Sequence, residues 1–193
     1  MQGRRTAALC CAVTFALALA GCGGGDDGDG DSKDDAASPA ASQTPVSPTA
    51  STDPDTTVKT AVLAAYNGMT TEQAKAYRQG SAKGTELEKY ATLNALSKIE
   101  LDLAGMKEAG RVVRGEIGHD AKVAGLDLDT KTPKATLKDC VDLSKYETYD
   151  VKAKKVIPLP TNQPMRYVAT ATVERWDGRW LVTDINTQGG GAC

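Results

Sequence analysis

The stretch Tyr167-Val168-Ala169-Thr170-Ala171-Thr172-Val173-Glu174-Arg175-Trp176-Asp177-Gly178-Arg179-Trp180-Leu181-Val182-Thr183-Asp184 holds the strongest structural signal in this 193-residue chain. Asp177-Gly178 is a two-residue type I′ turn signal, and apolar and polar residues alternate on both sides of it with the period of a strand. Closing a hairpin on that turn sets Arg175 opposite Trp180, Val173 opposite Val182 and Ala171 opposite Asp184. Tyr167, Ala169, Ala171, Val173, Trp180 and Val182 then share one face. The small alanines on it leave room for a helix to lie close.

Upstream the same period recurs. Ala135, Leu137, Asp139 and Val141 alternate with Lys134, Thr136, Lys138 and Cys140, which puts Cys140 on the lysine-bearing, outward face. Arg111–Ile117 and Ala121–Leu128 read as strands about a turn holding Gly118, and residues 143–164 are expected to hold an irregular hairpin. Before Gly110 the period is helical. Val58, Val62, Leu63 and Tyr66 mark a helix over Thr57–Gly68, with Asp55 as its cap. Thr70, Thr71, Glu72 and Gln73 look like a capping box that opens a second short helix through Tyr77. A loop over Gly80–Gly84 leads to a longer helix from Thr85 to about Ala109. Leu87, Tyr90, Ala91, Leu96, Ile99, Leu103 and Met106 form its apolar face, and Gly110 ends it.

Helices first and antiparallel strands second is an α+β order, with the N-terminal helices packed on a curved antiparallel sheet. Three segments carry a resemblance: Leu87-Glu88-Lys89-Tyr90-Ala91-Thr92, Asp139-Cys140-Val141-Asp142, and the ending Asp177-Gly178-Arg179-Trp180-Leu181-Val182-Thr183-Asp184. On these, the chain from about Thr57 to Cys193 is similar to the nuclear-transport-factor-2-like, cone-shaped α+β fold. It looks especially like secreted lipoproteins of that type from high-GC Gram-positive bacteria. The resemblance implies an apolar cavity between sheet and helix, which relatives use for isomerase, dehydratase or cyclase chemistry, use for ligand binding, or leave filled. Fold alone does not choose among these.

An enzyme on such a fold needs a carboxylate or His base and a Tyr or acid donor converging in the cavity. The candidates are Tyr66, Tyr90, Asp102, His119 and Asp184. Tyr66 and Tyr90 at helical spacing also read as core aromatics, Asp102 as a solvent-facing helix residue, and His119 as a solvated turn residue. Asp184 draws attention because it lies on the Trp180 face, one step past Val182. No pair has a spacing that demands a common site, so the leading reading is non-enzymatic. No cofactor is expected. One His and two cysteines expected to be bridged cannot build a zinc site, and no Gly-x-Ser-x-Gly elbow or phosphate-binding glycine loop is present.

The front of the chain has a different character. Arg4 and Arg5 precede an almost wholly apolar run from Ala7 to Ala20, the pattern of a secretory signal and too short to span a bilayer. Its ending, Leu19-Ala20-Gly21-Cys22, resembles the lipobox of bacterial lipoproteins. That resemblance implies a diacylglyceryl thioether on Cys22, cleavage before it, and acylation of the freed amine. Residues 1–21 are then signal peptide, and residues 22–55 a tether. The tether has eight Asp against one Lys, followed by a Ser/Thr/Pro-rich run. It cannot bury enough apolar surface to order itself, and as a coil it reaches roughly 30 Å. Asp27, Asp29 and Asp31 alternate like an EF-hand start, but Ser32 and Ser38 stand where its Gly and Glu belong. The Ser/Thr/Pro run is also compatible with O-linked sugars.

Of the five cysteines, Cys10 and Cys11 leave with the signal and Cys22 carries lipid. Cys140 and Cys193 remain, with one possible pairing in an oxidising compartment. The glycines at 189–191 would let the tail swing back. Residues 56–193 form the folded domain, with twenty Lys and Arg against seventeen Asp and Glu. These charges are scattered, which argues against a nucleic-acid surface. The expected protein is therefore extracytoplasmic and anchored in the membrane through the lipid on Cys22, and it binds an envelope protein or a small apolar ligand. The alternative is an isomerase or dehydratase acting on a small lipophilic molecule.

Overall fold

The computed structural model describes residues 54–187 and 191–193. The signal-like segment, Cys22, the acidic run and the tether up to residue 53 lie outside the described residues.

The first helix, α1, is continuous over Pro54–Gln79. Asp55 in its first turn suits the positive end of the helix dipole, and Arg78 in its last turn suits the negative end. Asp55 therefore lies inside the helix and is not its cap. The expected break near Gly68 and the second helix start at Thr70 do not occur. The Thr70 hydroxyl instead donates back to the Asn67 carbonyl at 3.1 Å, within an unbroken turn. The buried stripe Val62, Ala65, Tyr66, Met69, Ala76 and Tyr77 runs through the junction, and its burial outweighs a local capping preference. Glu72, also buried, accepts from Lys75 Nζ and from the Glu86 N–H, tying the next segment onto α1.

The single helix expected from Thr85 is likewise two. α2 covers Leu87–Tyr90 and α3 covers Leu93–Glu108. Between them Ala91 is extended and bridges Val182 in parallel fashion, while the Thr92 N–H donates to the Val182 carbonyl at 3.0 Å. A strand contact thus overrides helix periodicity at that point.

Seven strands follow: β1 Arg111–Gly115, β2 Gly118–Asp127, β3 Lys134–Asp142, β4 Tyr146–Asp150, β5 Lys155–Ile157, β6 Arg166–Trp176 and β7 Arg179–Asn186. They form two antiparallel sheets where one curved sheet was expected, in the orders β1-β4-β5 and β2-β3-β6-β7. The molecule is α+β, with the helices packed on the strands. β1 and β2 do not pair, so Gly118 is no turn residue: it opens β2, opposite Asp142. At Gly115 the backbone is left-handed (φ 73°) and a Cβ would strike the Lys145 carbonyl, so β1 ends there, against the start of β4. The expected irregular hairpin in 143–164 is β4–β5.

β3 alternates as expected, with Ala135, Leu137, Asp139 and Val141 buried. The β6–β7 hairpin turns on Asp177 (φ 48°) and Gly178 (φ 80°), and pairs Arg175 with Trp180 and Val173 with Val182. The register then slips between Thr172 and Val173, so that Ala171 faces Ile185 and Thr172 faces Asp184. This bulge turns Asp184 off the inner face. The main core joins Val62, Tyr66 and Met69 of α1 and Ile99 and Leu103 of α3 to Leu137, Ala171, Val173 and Val182 of the larger sheet. On the opposite face of β3, Cys140 is bonded to Cys193, 53 residues on. Closing a loop of that length stabilises a fold by about 4 kcal/mol in the chain-entropy picture.

Candidate functional site

A cavity of about 330 Å³ opens between α1 and the inner face of the larger sheet. Tyr66, Thr70, Ala74 and Arg78, spaced by four along α1, form one wall. Val141 of β3, Tyr167 and Ala169 of β6, and Ile185 of β7 supply the other, with Ile117 and His119 at one end. The alanines at 74 and 169 leave the space that larger side chains would fill. The volume lies at the low end of the ~300–1,000 Å³ of small-molecule pockets, and the lining is mostly apolar with a few polar groups, as in such pockets.

The polar end is built on Asp139, whose side chain is 2 % exposed. One carboxylate oxygen, Oδ2, accepts the Tyr66 hydroxyl at 2.9 Å and lies 2.6 Å from His119 Nδ1; the other, Oδ1, accepts the Asp120 N–H at 2.8 Å. A carboxylate there requires the proton on Nδ1, which leaves Nε2 of a neutral His119 as an acceptor. His119, with its side chain 24 % exposed, lines the cavity, whereas Asp139 lies behind it. Burial first, then the charge of Asp139 and its hydrogen bond, push the Tyr66 phenol far above its ordinary value. Burial and the same carboxylate also raise Tyr167, whose hydroxyl has no hydrogen-bond partner among the described residues. This end of the cavity thus holds an oriented imidazole and the Tyr167 phenol.

Of the residues singled out from sequence, the structure brings Tyr66 and His119 to this site and leaves three outside it. His119 is an exposed strand residue opposite Val141, not a turn residue. Tyr90 lies across Gly68, where a Cβ would meet the ring Cζ at 2.8 Å; it serves packing between α1 and α2. Asp102 accepts the Tyr77 hydroxyl at 2.7 Å, and Tyr77 in turn accepts Gln73 Nε2 at 2.9 Å. Burial foremost, with Asp102 adding to it, raises the Tyr77 phenol. Asp184, half-exposed, pairs with Lys98 Nζ at 2.8 Å. Asp102 and Asp184 border a second, polar cavity, but each has its own partner and they do not converge on one reacting position. Asp139 was missed as a site residue. Its signal was a carboxylate at an inward position of a strand otherwise turned inward through Ala135, Leu137 and Val141, and a buried acid demands partners. Among the described residues no cluster of three or more His, Cys, Asp or Glu is placed to hold a metal ion.

No family model and no curated protein matches the chain. Among solved structures, the intermembrane space region of the chloroplast protein ARC6 aligns with it at a TM-score of 0.44 and 12 % identity, covering 70 % of this chain and 97 % of that one. A likeness of that degree carries no argument about function.

Proposed function

We propose that this protein is a lipid-anchored extracytoplasmic binding domain of the nuclear-transport-factor-2-like type, whose cavity between α1 and the larger sheet receives a small lipophilic molecule. One observation carries the reading: an open cavity of about 330 Å³, lined by Met69, Val141, Ala169 and Ile185, that the side chains around it leave unfilled. The anchor rests on Leu19-Ala20-Gly21-Cys22 and the apolar run before it. Several acyl chains, at about 0.8 kcal/mol per buried CH₂, would hold the domain at the membrane permanently. The chain from Cys22 onward should bind an apolar naphthylamine dye with a rise in its fluorescence. Ala74→Phe, a substitution on the half-exposed wall of α1, should abolish that signal without lowering the melting temperature. Dye binding that is absent, or that Ala74→Phe leaves unchanged, contradicts the cavity reading. Cys22→Ala should release the protein from membranes or block its processing, and a variant that stays membrane-bound and identically cut contradicts the anchor.

A second reading, an isomerase or dehydratase acting on a small lipophilic molecule, is favoured by the Asp139–His119 pair and by Tyr167. A base held by a buried carboxylate, with a neutral phenol donor on the lining of the same cavity, is the minimum for moving a proton within an apolar ligand.

A further inference from the structure

The charged side chains that line the cavity carry one sign. Lys75 and Arg78 border it, and no Asp or Glu does. These cations are not equivalent. Lys75 is engaged by Glu72. Arg78 has no hydrogen-bond or ion-pair partner among the described residues. The acids of the adjoining polar cavity, Asp102 and Asp184, accept from Tyr77 and Lys98 and do not reach Arg78. An exposed planar guanidinium on the lining of a mostly apolar cavity, with no partner among the described residues, is suited to a carboxylate, which it meets through two parallel N–H donors.

The shape narrows the class further. The cavity runs along the α1 stripe from Tyr66 to Arg78, which at 1.5 Å per residue spans roughly 18 Å. The lining is therefore extended along the helix. Met69, Ala74, Val141, Ala169 and Ile185 supply the cavity's apolar lining, and His119 and the Tyr167 hydroxyl belong to its polar end.

Resting on the proposed cavity function, we propose that the ligand is a free single-chain carboxylic acid. Its carboxylate sits on Arg78, and its alkyl chain lies along α1 against Met69, Ala74, Ala169 and Ile185. The charge of the lining selects an anion over a neutral or cationic amphiphile of equal length, and the extension of the lining along α1 suits one extended chain.

Isothermal titration of the chain from Cys22 onward with decanoate, decanol and decyltrimethylammonium, each below its micelle concentration, tests this. Decanoate should bind about tenfold more tightly than decanol, and the cation should not bind. The advantage should shrink as salt rises from low to physiological strength. Arg78→Gln should bring decanoate down to the affinity of decanol while leaving decanol unchanged, and Ala74→Phe should abolish both. Equal affinities in the parent protein, or an advantage that survives Arg78→Gln, overturn the anionic ligand while leaving a lipophile-binding cavity in place. If neither decanoate nor decanol binds, the cavity reading itself is overturned.

Discussion

Asp139 is held by three donors, from Tyr66, His119 and the Asp120 backbone, and each of them would be left wanting a partner without it. An orphaned buried polar group costs about 1–3 kcal/mol, so Asp139→Ala should destabilise the fold by ~3 kcal/mol in urea. Tyr66→Phe removes one donor and leaves the carboxylate two, and should cost about 1 kcal/mol. The same contacts predict alkaline behaviour. Tyr66 and Tyr77 have phenol pKa values raised on folding, chiefly by burial. In the unfolded chain they titrate near ~10, so above that pH the unfolded state releases protons that the native state keeps. Stability is then fully present below pH ~10 and falls as pH rises past it. Tyr66→Phe should flatten that fall relative to its own value at neutral pH, as read by thermal melts across the alkaline range. An unchanged alkaline slope would mean that Tyr66 titrates freely. None of this network was legible from residue types alone, because it joins α1, β2 and β3 across 73 residues of sequence, and strand pairing determines which side chains meet.

Elements were legible where a periodic pattern met a strong turn signal, and illegible where a distant contact decided the outcome. The hairpin around Asp177-Gly178 and the alternation of β3 follow from local sequence. The continuity of α1 and the break at Ala91 do not: the first comes from the apolar stripe packed on the sheet, the second from the bridge to Val182. The bulge between Thr172 and Val173 is likewise silent in the sequence, and with it Asp184 lies opposite Thr172 and pairs with Lys98. The two tryptophans flanking the turn test the hairpin's faces. Trp180 is half-buried and packs against the main core, whereas Trp176 donates to Glu174 and belongs to neither apolar cluster. With full burial, Trp→Ala would cost ~3–5 kcal/mol. Half-burial lowers the expectation for Trp180→Ala to about 2–3 kcal/mol, against under ~1 kcal/mol for Trp176→Ala. Equal losses in chemical denaturation would mean that the two faces are assigned wrongly.

The molecule as a whole sets a long helix over a sheet whose facing residues are small where the two approach, at Ala169 and Ala74, and this leaves a channel in place of a filled core. The helix-then-strand order and the inward face of the last hairpin pointed to such an arrangement. The channel's charge did not show in the sequence, because Lys75 and Arg78 are two of twenty scattered cations and only the fold separates the one that Glu72 holds from the one without a partner. The account stands or falls on the channel being the place where a ligand sits. Methyl-resolved NMR of the chain from Cys22 onward, titrated with decanoate, reads this directly. The methyl resonances of Ala74, Ile117, Val141, Ala169 and Ile185 should shift in a saturable way, while those of Val151 and Val156, exposed on or beside the smaller sheet, stay still. Shifts confined to exposed methyls outside the channel, or none at saturating ligand, would contradict it.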